Sequence, residues 1–192
     1  MSGLPSREEI YRLLTEYTKG ENLIRHCLAV EAALRAYARK YGEDEELWGA
    51  VGLIHDFDYE QHPSMEEHPM VGSGILRGKG WPEVAVRAIL SHSDKAEYKR
   101  ETKLEKALYA VDELTGFINA VALVRPSHSL DDLKPKSVNK KMKDKQFAAA
   151  IDREQLRCGA QELGVDFTEH VDFVIQAMRT IQQELGFKPI QD

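Results

Sequence analysis

Apolar side chains recur every three or four residues along most of the chain, the period of an α-helix packed on one face. From Glu21 to Tyr41 the stripe runs through Leu23, Cys27, Val30, Leu34 and Tyr37, and Gly42 follows where a helix stop is needed. Ser6-Arg7-Glu8-Glu9 and Thr102-Lys103-Leu104-Glu105 have the form of capping boxes. They open a first helix reaching about Thr18 and a long one reaching about Val124. A helix starting near Asp44 carries Leu47, Val51 and Ile54 and closes at His55. Asp58 to Pro63 reads as a loop, and Glu66 to Lys79 as a helix ended by Gly78-Lys79-Gly80. Pro82 suits the first turn of a helix bearing Val86, Ile89 and Leu90. Arg125 to Pro135 is turn-rich, one short helix falls between Lys136 and Lys145, and helices over Asp152–Leu163 and Phe167–Gly186 complete the chain. No strand-like alternation runs longer than four residues and no repeat is visible, so the expected fold class is all-α.

Composition narrows this little. The 192 residues are 42% hydrophobic and 30% charged, enough for one domain, 1–192, with a real core. No apolar run approaches the roughly 18–20 residues that span a bilayer, and the opening MSGLPSREEI lacks a basic start followed by an apolar stretch. Cys27 and Cys158, the two cysteines, form no CxxC pair, which points to a reducing, cytoplasmic setting without disulfide or thiolate–metal site. The formal charge of −6 disfavours nucleic acid as a partner.

The chemistry-bearing residues stand out by where they fall on the apolar stripes. His26 lies three residues after Leu23 and four before Val30, on the buried face of its helix. Asp112 lies four after Leu108 on a stripe that continues through Thr115 and Ile118. An unpaired carboxylate buried there costs several kcal/mol, so it calls for a cation or strong donors. His55-Asp56 closes a helix, His92 ends another, and His68 precedes Pro69 near the start of a third. Neutral imidazoles and carboxylates together suit divalent transition metals, with Mn, Fe, Ni, Zn, Co and Mg not distinguished.

The order His26 … His55-Asp56 … His68 … His92 … Asp112 resembles the HD superfamily of metal-dependent phosphohydrolases. The resemblance implies a single-domain helical bundle with an HD metal-binding core over 20–115 and a helical C-terminal extension over 116–187. It also implies one or two divalent metals: His26, His55, Asp56 and Asp112 would hold one, and Asp56 would bridge to a second held by His68 and His92. With one metal, His68 and His92 would face the substrate instead. The pair is followed by Phe57-Asp58 where many dinuclear relatives read HDIG, and Ser91-His92-Ser93 stands where some have paired histidines. Tyr109 to Gly116, Lys136-Ser137-Val138, Lys140-Lys141 and Lys145-Gln146-Phe147-Ala148 are similar to a group of small predicted HD hydrolases without a settled substrate.

The implied activity is hydrolysis of a phosphate ester, of a nucleotide or another small phosphorylated metabolite, by a metal-activated water. The same ligand order resembles the di-iron oxygenases of the superfamily, and a non-catalytic nucleotide- or phosphate-binding module is the third reading. Asp56, Glu67 and Asp58 are the candidates for catalysis or its support, and Arg25, Lys95 and His62 for contact with a phosphorylated substrate. Lys134, Lys136, Lys140, Lys141, Lys143 and Lys145 form either a solvated face or a cationic flap over such a ligand. His170 reads as packing or surface, His128 as exposed, and Trp48 and Trp81 as core or pocket wall.

Overall fold

The computed structural model describes residues 3–64, 66–93 and 98–190. Among them are nine helices and no strand: α1 Arg7–Tyr17, α2 Glu21–Tyr41, α3 Glu45–Ile54, α4 Met70–Gly78, α5 Glu83–Ser91, α6 Lys103–Leu123, α7 Pro135–Lys141, α8 Arg153–Leu163 and α9 Phe167–Arg179. Both capping boxes form: the Ser6 and Thr102 hydroxyls accept from the Glu9 and Glu105 amides, and each glutamate carboxylate folds back onto the cap amide. Gly42 ends α2 with φ 67°, a left-handed turn that favours glycine. No helix among the described residues is long and apolar enough to cross a membrane.

Two of the expected helices are shorter in the structure. The one expected from Glu66 begins at Met70, because the residue before Pro69 is sterically pushed out of the α region. The last one stops at Arg179 instead of Gly186. There the Thr180 hydroxyl donates to the Ala177 carbonyl at 2.7 Å, and the Arg179 guanidinium is drawn to the Leu130 carbonyl. The Gln182 amide donates to Asp131 at 2.7 Å and accepts from the Leu130 amide at 3.3 Å. Loop 129–132 thus holds the Arg179 and Gln182 side chains where the backbone tightens into turns, the Thr180, Ile181 and Gln182 amides each donating to the carbonyl three residues back.

The long helix α6 is the central strut, packed on by α2, α5, α7, α8 and α9. Its buried face includes Leu108, Val111, Leu114, Phe117 and Ile118. Helix α3 crosses α2 with almost no gap: a Cβ on Gly52 would lie 2.8 Å from the Glu31 Cα. This crossing is what brings the end of α3 to the middle of α2. Buried Glu31 is held there by Arg7 of α1 (2.7 and 2.9 Å) and by Arg35 (3.0 Å). Trp48 and Trp81 are core residues and His128 is exposed, as their settings suggested.

His170 is fully packed. Its Nε2–H donates to the Ala110 carbonyl of α6 at 3.0 Å, and its Nδ1 accepts from the Tyr37 hydroxyl of α2 at 2.6 Å. Burial pulls its pKa down to about 4. The unfolded chain therefore takes up this proton first, near pH 6.5. The stability His170 contributes is complete above that pH and is lost as pH falls towards 4, by up to about 3 kcal/mol. Urea-unfolding midpoints of the parent and a His170→Gln variant should converge as pH is lowered from 7 to 4. A margin between them that does not change with pH would contradict this role.

Candidate metal centre

The six motif residues come together in one place, each delivered by a different local device. His26 projects from the middle of α2 and Asp112 from α6, while His55 and His92 cap the C-terminal ends of α3 and α5. Asp56 and His68 lie on the turn segment between α3 and α4. That segment is fixed beneath the α1–α2 junction. The Thr18 hydroxyl donates to the Phe57 carbonyl at 2.9 Å, the Phe57 ring meets Tyr17 edge-on at 5.0 Å, and Glu60 accepts from the Lys19 and Gly20 amides. Phe57, the first departure from HDIG, is therefore the buried anchor of the turn.

Each of the four cluster histidines turns Nδ1 outward onto an acceptor and Nε2 inward. His55 and His92 share one solution: Nδ1–H donates to the carbonyl three residues back, Gly52 at 2.9 Å and Ile89 at 2.5 Å. Both carbonyls lie in the last turn of their helix, where the regular partners run out, and the Ile89 carbonyl also accepts from the His92 amide at 3.4 Å. His68 donates to the Asp58 carboxylate at 2.8 Å, whose other oxygen accepts from the Gly72 amide at 2.7 Å. The Thr115 hydroxyl gives its proton to the Asp112 carbonyl (2.8 Å), so it can accept from His26 Nδ1, 3.4 Å away. Such outer bonds fix the tautomer that leaves the Nε2 lone pairs free for a metal.

Inward, His26 Nε2 is 2.9 Å from Asp112 Oδ1, 3.3 Å from His55 Nε2 and 3.6 Å from Asp56 Oδ2. The opposite oxygen, Asp56 Oδ1, is 3.2 Å from His68 Nε2, 3.4 Å from His92 Nε2 and 3.5 Å from His55 Nε2. His68 and His92 face each other, Nε2 to Nε2, at 3.2 Å. Two groups of possible ligands result, His26, His55, Asp56 and Asp112, and Asp56, His68 and His92, with Asp56 common to both. Nitrogen lone pairs crowded together beside buried carboxylates fit a divalent cation, which would satisfy all of them at once.

Among the protein's own groups, protons hold the cluster's charges together. Burial works against a charge on His68, yet Asp56 and Asp58 lift its imidazole to about 9. Burial likewise opposes the raised values of His55 and His92 and the depressed one of Asp112, and the opposite charges alongside outweigh it.

The cluster forms the floor of a cavity of about 530 Å³, lined also by Tyr59, Ser93, Glu113, Gly116 and Gln155. Sequence reasoning missed these five. Glu113 carried the clearest signal, an acid adjoining a buried one. Its half-buried carboxyl is pushed up to about 7 by burial, with Asp112 adding to the effect. Asp58 sits behind His68, fully buried with both oxygens engaged, and so supports a ligand without facing the cavity. Three other expected residues are drawn elsewhere. His62 and Glu67 pair with each other at 3.3 Å, off the cavity lining. Arg25 pairs with Glu21 at 2.9 Å and borders a small cleft on the far side of His26. Lys95 lies outside the described residues. None of the six lysines from Lys134 to Lys145 lines the cavity. Lys141 stacks on Phe147 (4.5 Å) and the other five are exposed, which leaves them as a solvated face.

Residues 23–116 match the family model described as HD domain. The chain thus carries an HD domain, consistent with the HD superfamily of metal-dependent phosphohydrolases that its motif order resembles. No curated protein and no solved structure gives a significant match.

A metal must displace the proton on His68, so cation binding strengthens as pH rises towards about 9 and weakens below it. Calorimetry on chelator-treated protein near pH 7, in two buffers of different ionisation enthalpy, should show net proton release on uptake of a divalent cation. Uptake without proton release, with an affinity independent of pH between about 7 and 9, would contradict the geometry described.

Proposed function

We propose that this protein is a metal-dependent hydrolase of phosphate esters, acting on a nucleotide or another small phosphorylated metabolite. The observation that carries the reading is Asp56, whose two oxygens face different imidazoles within one cluster on the floor of an open cavity. His26, His55, Asp56 and Asp112 would hold one divalent ion, and Asp56, His68 and His92 a second. Ions held there supply Lewis acidity to a phosphoryl oxygen and lower the pKa of water.

The remaining work falls to the chain's own residues. Asp58 and the carbonyls of Gly52 and Ile89 hold three imidazoles in the tautomer that presents Nε2. Arg100 secures the end of α5 that carries His92: it donates to the Ser91 carbonyl at 3.0 Å, pairs twice with Glu162 of α8 (2.8 and 2.9 Å) and stacks on Tyr109. Glu113 is the acid in the cavity with no hydrogen-bond or ion-pair partner among the described residues, and it can hand a proton to the leaving oxygen. Glu67, an earlier candidate for that task, lies off the lining and is replaced by Glu113 in this reading.

Assayed over a panel of phosphate esters with each candidate metal supplied, the protein should release phosphate or nucleoside monophosphate only when metal is present, with no oxygen uptake. Asp56→Ala should abolish turnover and metal retention together. Glu113→Gln should keep the metal and lose about 10²-fold in kcat, as removal of a general acid does. Absence of turnover with every metal, or oxygen consumption by the iron form, would contradict the proposal.

A further inference from the structure

The cavity is completed by a residue from beyond the HD match. Gln155 lines it from the first turn of α8, some forty residues past the last matched position. Three features fix it there. A Cβ on Gly159, one turn further along α8, would lie 2.8 Å from the Ala110 Cα, so α8 rests directly on the backbone of α6 a short way from Asp112. Leu156 and Ala160 are buried in the same contact. Ahead of the helix, Arg153 ties down the preceding loop by donating to the carbonyls of Ala148 (2.6 Å), Ile151 (2.5 Å) and Phe147, with its guanidinium over the Phe117 ring at 4.8 Å.

What Gln155 does not do is equally informative. Asp152 caps α8, which makes Gln155 the third residue of the helix, the position whose glutamate folds back onto the cap in α1 and α6. Asp152-Arg153-Glu154-Gln155 could close the same box, yet no such bond forms. The Gln155 amide makes no hydrogen bond to any described residue and is half-buried at the cavity wall. Tyr59 lines the same cavity, its ring edge-to-face with His68 at 5.2 Å and 43% of the residue exposed.

A primary amide is neutral and offers two donors and an acceptor. Such a group is suited to hydroxyls or ring nitrogens and oxygens, whereas the phosphate itself is matched by the charges on the floor. An exposed aromatic face beside it suits a flat or cyclic body. We infer that Gln155 is a specificity-determining residue. It selects esters whose alcohol portion is a polar ring, a nucleoside or a sugar, with Tyr59 covering that ring. The inference rests on the phosphohydrolase reading and names the substrate class for that site.

The test uses the metal-loaded full chain and four probes: a purine nucleoside monophosphate, a hexose monophosphate, p-nitrophenyl phosphate and inorganic phosphate. Binding is measured by calorimetry and turnover by phosphate release. The parent should bind one of the two polar esters more tightly than inorganic phosphate, and which one separates nucleoside from sugar. Gln155→Ala and the bulkier Gln155→Leu should each weaken that ester about 10-fold in affinity and kcat/KM, the loss of one hydrogen bond. p-Nitrophenyl phosphate and inorganic phosphate should stay within about 2-fold for the same reason. Equal loss on all four probes in both variants, no loss on the polar esters, or a parent that binds neither polar ester better than inorganic phosphate overturns the inference. A parent that binds the esters but turns none over fails the hydrolase reading alone, and the binding ratios then decide the role of Gln155.

Discussion

Asp56 places one carboxylate oxygen towards His26 and the other towards His68 and His92, in a cluster where His55 is wholly buried and Asp112 nearly so. Anions taken out of water cost several kcal/mol each unless positive charge or strong donors meet them. The architecture around the cluster follows from that demand. Four imidazoles must present Nε2 to the same small volume, so each needs an acceptor for Nδ1 and a backbone that holds the ring in place.

The fold meets that need largely with its own helix ends. A helix C-terminus has spare carbonyls and a partial negative charge, both favourable to a cationic or metal-bound imidazole. His55 and His92 use the same carbonyl three residues back, on two different helices. Asp58 does for His68 what those carbonyls do for the other two, which gives the departure from HDIG at that position a chemical purpose. The close crossing at Gly52 then sets the end of α3 against α2, so that His26 and His55 meet.

Much of this was legible in the residue pattern. The apolar stripe gave α2 its full extent, the capping boxes started α1 and α6, and an inward histidine and aspartate on two stripes pointed to His26 and Asp112. What was not legible depends on contacts distant in sequence. Gln155 differs from a solvent-facing glutamine only because Gly159 sets α8 onto α6. Arg25, His62 and Glu67 are near the motif in sequence, but each finds a local partner first, within five residues along the chain. The early end of α9 coincides with contacts of the same kind, since the groups that hold the Arg179 and Gln182 side chains lie some fifty residues upstream in loop 129–132.

On the proposed reading, the Asp56 carboxylate would serve two metal positions. Manganese(II) titrated into chelator-treated protein and followed by electron paramagnetic resonance tests it most directly. Two ions sharing Asp56 as a ligand would be magnetically coupled, so the spectrum should change form as the second ion enters, and Asp56→Asn should remove the coupled signal. A six-line spectrum of isolated ions that merely grows in proportion to the metal added, up to saturation, would contradict the account.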